Sequence, residues 1–224
     1  INGFECENLL IVGFNRAIDF QNNGRGKLRN IKIDCINGVR WQGSLDVSDL
    51  YNVHPWPWLT VGLAAADARL LWRSGIGIEI GAPAYFTGAI SGTTLTVSSV
   101  ATGNALFGGQ VVFNGGAIVG AIASQATGTP GGVGTYTLKA SDPTPVNTSS
   151  TALRARIQND WTNLTNCFSF GYQVGIQLDE TKHATLLNCA ADNAFQLIGS
   201  AYNTEAQTKI GLNIHGESWN TNVI

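Results

Sequence analysis

A nine-residue phrase occurs twice in this chain. Asp-Trp-Thr-Asn-Leu-Thr-Asn-Cys-Phe runs from Asp160 to Phe168, and Lys-His-Ala-Thr-Leu-Leu-Asn-Cys-Ala runs from Lys182 to Ala190. Leu164 falls on Leu186, Asn166 on Asn188 and Cys167 on Cys189, each pair separated by the same interval. The interval returns near the start, where Asn8-Leu9-Leu10-Ile11 matches Asn30-Ile31-Lys32-Ile33 and Asn15 matches Asn37. A fixed period in the low twenties marks a repeat architecture, in which each repeat buries its apolar side chains against its neighbours.

The text between the copies selects among such architectures. A leucine-rich repeat has a similar period but needs a denser leucine frame. Here Phe168 to Leu178 reads FSFGYQVGIQL, β-prone residues broken by two glycines, with Val174, Ile176 and Leu178 alternating. Short strands joined by bends predict a parallel β-helix of about 22 residues per coil. On that reading Leu164 and Leu186 stack inside. Asn166 and Asn188 stack at a bend, where an amide can bond the turn and the next Asn along the axis. Cys167 and Cys189 stack as small apolar fillers. The four cysteines, which include Cys6 and Cys35, are expected as buried free thiols, without the close spacing of a zinc site.

Further strands are expected over Leu9 to Phe14, Ala17 to Phe20, Leu28 to Cys35, Val39 to Trp41 and Leu45 to Val53. His54-Pro55-Trp56-Pro57-Trp58 breaks the rhythm, because prolines are excluded from central strands. Leu59 to Arg73 is expected as a short helix or an irregular loop, and Gly75 to Ile80 as a strand. At about Pro83 the texture changes to Gly, Thr, Ser and Val. Five candidate strands follow outside the register of the repeat: Tyr85 to Ile90, Thr94 to Val100, Gln110 to Phe113, Ala117 to Ser124 and Thr135 to Lys139. They predict a small β-barrel or sandwich inserted in the solenoid, with Pro143 to Thr151 as the linker back. The expected organisation is β-helix over 1–83, inserted β domain over 84–152 and continued β-helix over 153–224. Strands are also expected at Phe195 to Ile198 and Ile210 to His215, with a further coil starting near Trp219. The chain reads as a segment of a longer protein, cut within repeats at both ends.

Composition narrows the function classes. Charged residues are 12% and glycines number 27 of 224, which suits turn-rich β-structure rather than helical bundles. A net charge of −2 carries no basic footprint for nucleic acid. No apolar run reaches the roughly 20 residues of a membrane span.

Gly75 to Ile80 (GIGIEI), Asn163 to Leu178, and Leu187 to Asn193 (LNCAADN) resemble bacteriophage and prophage tailspike or tail-fibre proteins. Tyr85 to Leu95 (YFTGAISGTTL) and Gly134 to Leu138 (GTYTL) are similar to a small β module of phage tail proteins. The resemblance implies a pectin-lyase-like right-handed parallel β-helix. It also implies a homotrimer on the virion tail, extracellular at the bacterial surface, that meets bacterial surface polysaccharide. No cofactor is implied. Many relatives cut that polysaccharide with Asp/Glu pairs, but these share no sequence motif, so no catalytic residue is carried over.

The chain's own acids offer no obvious pair. Glycoside hydrolysis needs two carboxyls roughly 5–9.5 Å apart, which a solenoid supplies from adjacent coils. Asp160 shares its register position with Lys182, and Asp192 shares its position with Phe170. Asp179 and Glu180 are consecutive, and Asp46 and Asp49 flank a strand. His183 takes the place of Trp161 and reads as a packing or surface-row residue. The aromatics are the stronger signal. Trp41, Tyr51, His54, Trp56, Trp58 and Trp72 crowd one third of the chain. Sugar rings dock on aromatic faces, and a Pro-stiffened loop loses little entropy on binding. His54, Trp56, Trp58 and Trp72 are therefore the candidate carbohydrate contacts, with packing of the loop against the solenoid or a subunit interface as the competing role. Three functions stay open: glycan receptor binding, polysaccharide depolymerisation by hydrolase or lyase chemistry, and a structural shaft.

Overall fold

The repeat is expressed as parallel strand pairing. The structure is a computed structural model that describes residues 3–21, 24–44, 46–60, 73–81, 83–102, 104–157, 159–179, 181–192, 210–215 and 222–224. The chain divides into two compact units, Ile1–Ala82 with Gln158–Ile224, and Pro83–Ile157.

The first unit opens with β1 (Glu5–Val12), β2 (Arg16–Gln21), β3 (Lys27–Asp34), β4 (Asn37–Gln42), β5 (Ser48–Pro55) and β6 (Arg73–Ile80). The second contains β7 (Ala84–Ser91), β8 (Thr94–Val100), β9 (Val111–Asn114), β10 (Ala117–Gly128), β11 (Gly134–Leu138) and β12 (Thr148–Arg156). The first unit resumes with β13 (Asn159–Asp160), β14 (Thr162–Thr165), β15 (Phe168–Phe170), β16 (Tyr172–Asp179), β17 (Thr181–Lys182) and β18 (Thr185–Leu187). It ends with β19 (Ala190–Asp192), β20 (Ile210–His215) and β21 (Asn222–Val223). The class is all-β.

In the first unit the strands form separate parallel sheets. One has the order β1-β3-β5-β14-β18-β21 and another β2-β4-β6-β16-β20, with two-stranded sheets β13-β17 and β15-β19 beside them. The registers place like on like. Leu28 pairs with Leu50, Leu50 with Leu164 and Leu164 with Leu186. Val39, Ile78 and Ile176 form a second apolar column, and Trp41, Ile80 and Leu178 a third. All of these side chains are buried in one core, and each buried aliphatic contributes roughly 1.5–3 kcal/mol of transfer free energy.

The corners are set by asparagine. Asn8, Asn30, Asn52, Asn166 and Asn188 have φ of 58°, 54°, 56°, 53° and 51°. Asn tolerates this left-handed conformation because its short side chain can hydrogen-bond locally. One rung apart, the amides bond each other. Asn30 Nδ2 donates to Asn8 Oδ1 at 3.1 Å, Asn52 Nδ2 to Asn30 Oδ1 at 2.9 Å, and Asn188 Nδ2 to Asn166 Oδ1 at 2.7 Å. The repeat of the first half and that of the second thus occupy one register, because Leu50 and Leu164 are partners.

The second unit is a closed antiparallel barrel of order β10-β11-β8-β7-β12-β9. Its core is formed by Phe86, Leu95, Val112, Ile122, Tyr136 and Leu153 among others.

Several expectations are corrected. Residues 148–151 are no linker: Thr148 to Thr151 begin β12, which pairs with β7 and β9 and closes the barrel. Arg154 lies in that strand, so the repeat does not restart there. Pro55 does not end the strand early. It is the last residue of β5, opposite Ile33, and the missing proline N–H is followed at once by Trp56 N–H donating to Ile33 O at 2.8 Å. Only Cys35 and Cys167 are buried, while Cys6 and Cys189 are half-buried; all four thiols are free. The helix or loop expected from Leu59 and the strand expected at Phe195 to Ile198 fall largely or wholly outside the described residues. Among the described residues no helix is long and apolar enough to cross a membrane.

Candidate functional site

Two sequence intervals differ where register partners are the same. Leu164 and Ile176 lie close together in sequence, whereas their partners Leu50 and Ile78 lie more than twice as far apart. The repeat that holds the tryptophans therefore carries an insertion that its neighbour lacks. The described portion of that repeat leaves β5 through His54 and Pro55 and turns at Trp56 to Thr60.

Backbone and side-chain bonds hold this turn. Trp58 N–H donates to Trp56 O at 2.7 Å, and the Trp58 indole Nε1–H donates back to His54 O at 3.0 Å. The buried Asp34 carboxylate at the end of β3 accepts from Leu59 N–H and Thr60 N–H, both at 2.9 Å, and from Thr60 Oγ1–H at 3.0 Å. Arg73, the first residue of β6, donates to the same carboxylate and to Thr60 Oγ1. Burial alone would raise the Asp34 pKa. The Thr60 and Leu59 amides and the Arg73 guanidinium outweigh it and hold the carboxyl below its ordinary value. One buried charge thus ties both ends of the insertion to the sheet. Beside it Tyr172 O–H donates to Cys35 O at 2.8 Å, and burial pushes that phenol's pKa up.

The rings form a connected cluster. Trp56 packs against Phe170 at 4.2 Å and Phe168 at 5.7 Å between centroids. Trp58 lies parallel to His54, with 2° between the planes and centroids 6.4 Å apart. Lys32 Nζ sits 4.5 Å from the centre of a Trp58 ring. His54 Nε2 lies 3.0 Å from Asn166 O. His54, Trp56 and Trp58 are all half-buried, so each gives part of its surface to packing and part to solvent. Trp72 lies outside the described residues. Next to His54 is a cavity of about 450 Å³, lined by Asn52, His54, Asn166, Cys167, Phe168 and Asn188 among others. Such a volume falls in the range of small-ligand pockets. The structure thus brings three of the four candidate contacts, the Asn rows and Cys167 to one place.

Several of the described acids stand with cations and amides. Glu5 and Asp49 flank Lys27 in register, and Asp49 accepts from Asn163 Nδ2 at 2.9 Å. Asp46 is bound by Arg25 at 2.5 Å, which lowers its pKa. Asp19 and Glu79 are both register partners of Arg40, which forms two hydrogen bonds to Asp19. Asp160 faces Lys182, and Asp192 faces Phe170. His183 stacks on Trp161 at 4.7 Å and 21°, as their shared repeat position implied. Among the described residues no group of three or more His, Cys, Asp or Glu side chains is arranged to hold a metal.

Lys32, Asp34, Asn52 and Phe168 are site residues that reading for motifs overlooks. The period does connect three of them to the rest of the site. Lys32 lies one period before His54, Asp34 one period before Trp56, and Asn52 one period after Asn30. Comparison with protein-family models, with curated proteins and with solved structures finds no match to this chain.

Proposed function

We propose that this chain is part of a tailspike-like receptor-binding protein of a bacteriophage, which recognises bacterial surface polysaccharide. On this reading the parallel sheets of the first unit are faces of one right-handed β-helix. Support comes from the connectivity: successive strands β1 to β6 alternate between the two large sheets, and every pairing in them is parallel. Parallel crossovers are overwhelmingly right-handed. The reading further takes the protein to be a homotrimer carried on the virion tail.

The observation that carries the proposal is the pre-ordered aromatic cluster. His54, Trp56 and Trp58 keep partial exposure while Asp34 and Arg73 fix the turn that bears them. A rigid ring beside an amide-lined cavity suits a pyranose, whose C–H face is apolar and whose edge is polar. Asp19, Asp34, Asp46 and Glu79 are each paired with an arginine, which favours recognition over acid/base cleavage by these carboxylates.

The test is a panel of capsule and O-chain polysaccharides, with bound protein, new reducing ends and unsaturated uronate all measured. Binding without cleavage is expected, with loss of binding in Trp58→Ala. Cleavage would replace the proposal by a depolymerase. Failure to bind any member would leave a structural shaft. Sedimentation equilibrium should give three times the 23.7 kDa mass of the chain; a monomer would contradict the trimer.

A further inference from the structure

The asparagine ladder has a direction and a gap. In each bond present, the amide Nδ2 of one rung donates to the Oδ1 of the preceding rung: Asn30 to Asn8, Asn52 to Asn30, and Asn188 to Asn166. The same rule calls for Asn166 Nδ2 to donate to Asn52 Oδ1, because β14 is the rung next to β5. That bond is absent. Among the described residues, the Asn166 amide donor and the Asn52 carbonyl acceptor have no hydrogen-bond partner. Both residues are half-buried, whereas Asn8, Asn30 and Asn188 are exposed. Both also line the cavity of about 450 Å³, with the Phe168 and His54 rings beside them. The single break in the described ladder and the cavity coincide.

We infer that this gap is a binding subsite for one uncharged pyranose of the polysaccharide, read through a single hydroxyl that completes the ladder. The inference rests on the glycan-binding reading above. The geometry suits a hydroxyl. Adjacent rungs are about 4.8 Å apart. A hydroxyl oxygen placed between the two unbonded amides can hydrogen-bond to both. It accepts from Asn166 Nδ2 and donates to Asn52 Oδ1, which matches the donor and acceptor capacity of a hydroxyl. A carboxylate can only accept, so it would leave its charge facing Asn52 Oδ1. The sugar's apolar face lies on Phe168 or His54. A site built to bond a hydroxyl rejects the analogue that lacks it.

The experiment compares two isosteric substitutions in the intact chain, using the polysaccharide found to bind in the panel. Asn166→Asp removes the free donor yet keeps a residue suited to the left-handed corner and keeps the acceptor for Asn188. Asn30→Asp makes the same change where the donor is already bonded to Asn8. The expected result is that Asn166→Asp weakens binding about tenfold or more with little change in melting temperature. Asn30→Asp should lower the melting temperature and leave affinity unchanged. A repeat-unit oligosaccharide deoxygenated at the bound hydroxyl should lose a similar factor on the wild type and nothing further on Asn166→Asp. If Asn166→Asp behaves as Asn30→Asp does, the ladder is continuous in solution and the subsite is overturned. If Trp58→Ala abolishes binding while Asn166→Asp does not alter it, the aromatic platform stands and the subsite falls. If the wild type binds no polysaccharide, the functional reading fails and takes the subsite with it.

Discussion

Both units turn corners in the left-handed backbone conformation, but among the described residues only the parallel unit fills such corners with asparagine. The barrel uses glycine: Gly92 and Gly115, both at φ 57°, sit at hairpin turns where an added Cβ would meet nothing within 4 Å. Asp142 is its non-glycine exception at φ 55°. The parallel unit uses glycine as well, at Gly3, Gly13, Gly43, Gly81 and Gly171, but adds Asn8, Asn30, Asn52, Asn166 and Asn188, together with Arg25, Trp161 and His183. The difference lies in what stands next to the corner. A hairpin turn projects alone, so a side chain there has no equivalent to bond and only backbone freedom matters. A corner in a parallel stack has its copy one rung away, so an amide recovers in hydrogen bonds what the left-handed conformation costs. Stacked rings at Trp161 and His183 use the same geometry with aromatic contact.

The largest effect should come from the buried charge at the tryptophan turn. Asp34→Ala leaves Arg73 without its buried carboxylate and should cost about 3–5 kcal/mol in chemical denaturation of the first unit. The wild type should also lose this contribution in acid. The folded-state pKa of Asp34 lies below its unfolded value of about 3.9, so the stabilisation is complete above that value and fades as pH falls through the folded one. Asp34→Asn should flatten that acid limb, and an unchanged limb would remove Asp34 from the account.

Core substitutions should not distinguish the units. Leu50 and Leu95 are both fully buried, one in each core, and alanine at either should cost about 3 kcal/mol. Corner substitutions should distinguish them. Asn30→Ala forfeits two ladder bonds and strains the left-handed corner, at about 2 kcal/mol, and Asn30→Gly should recover about half by relieving the strain alone. In the barrel, Gly115→Ala should cost about 1 kcal/mol, and Gly115→Asn should be close to neutral. Equal responses of Asn30→Gly and Asn30→Ala in thermal unfolding would show that strain plays no part.

The smallest effect is on reactivity. The neighbouring Cys167 thiol lowers the pKa of Cys189, against the opposing influence of burial, whereas burial raises that of Cys35. Cys189 should be alkylated before Cys35 near neutral pH, read by peptide mass spectrometry.

The same contrast explains what the sequence discloses. In the parallel unit a column is a sum: one period on from Asn30 stands Asn52, and one period on from Asp34 stands Trp56. Leu164 and Leu186 are readable as core for that reason. The relation fails where the chain is interrupted. Asn52 and Asn166 belong to neighbouring rungs but are separated in sequence by both the tryptophan insertion and the barrel. Nothing local signals that they meet, so the cavity between them is invisible until the register is known. In the barrel, hairpins announce themselves through Ser91-Gly92 and Asn114-Gly115. β12 does not, because its first residues are Thr-Ser-Ser-Thr and its partners β7 and β9 are distant in sequence. Polar text without a nearby partner reads as a linker until pairing supplies the other side.

The account turns most directly on whether the aromatic platform holds glycan. Intrinsic tryptophan fluorescence should be titrated with the polysaccharide selected from the panel, on wild type and on Trp58→Ala, with circular dichroism to establish that both are folded. The account predicts saturable quenching in the wild type and an affinity at least tenfold weaker in a folded Trp58→Ala. Equal affinity in the two proteins would contradict it.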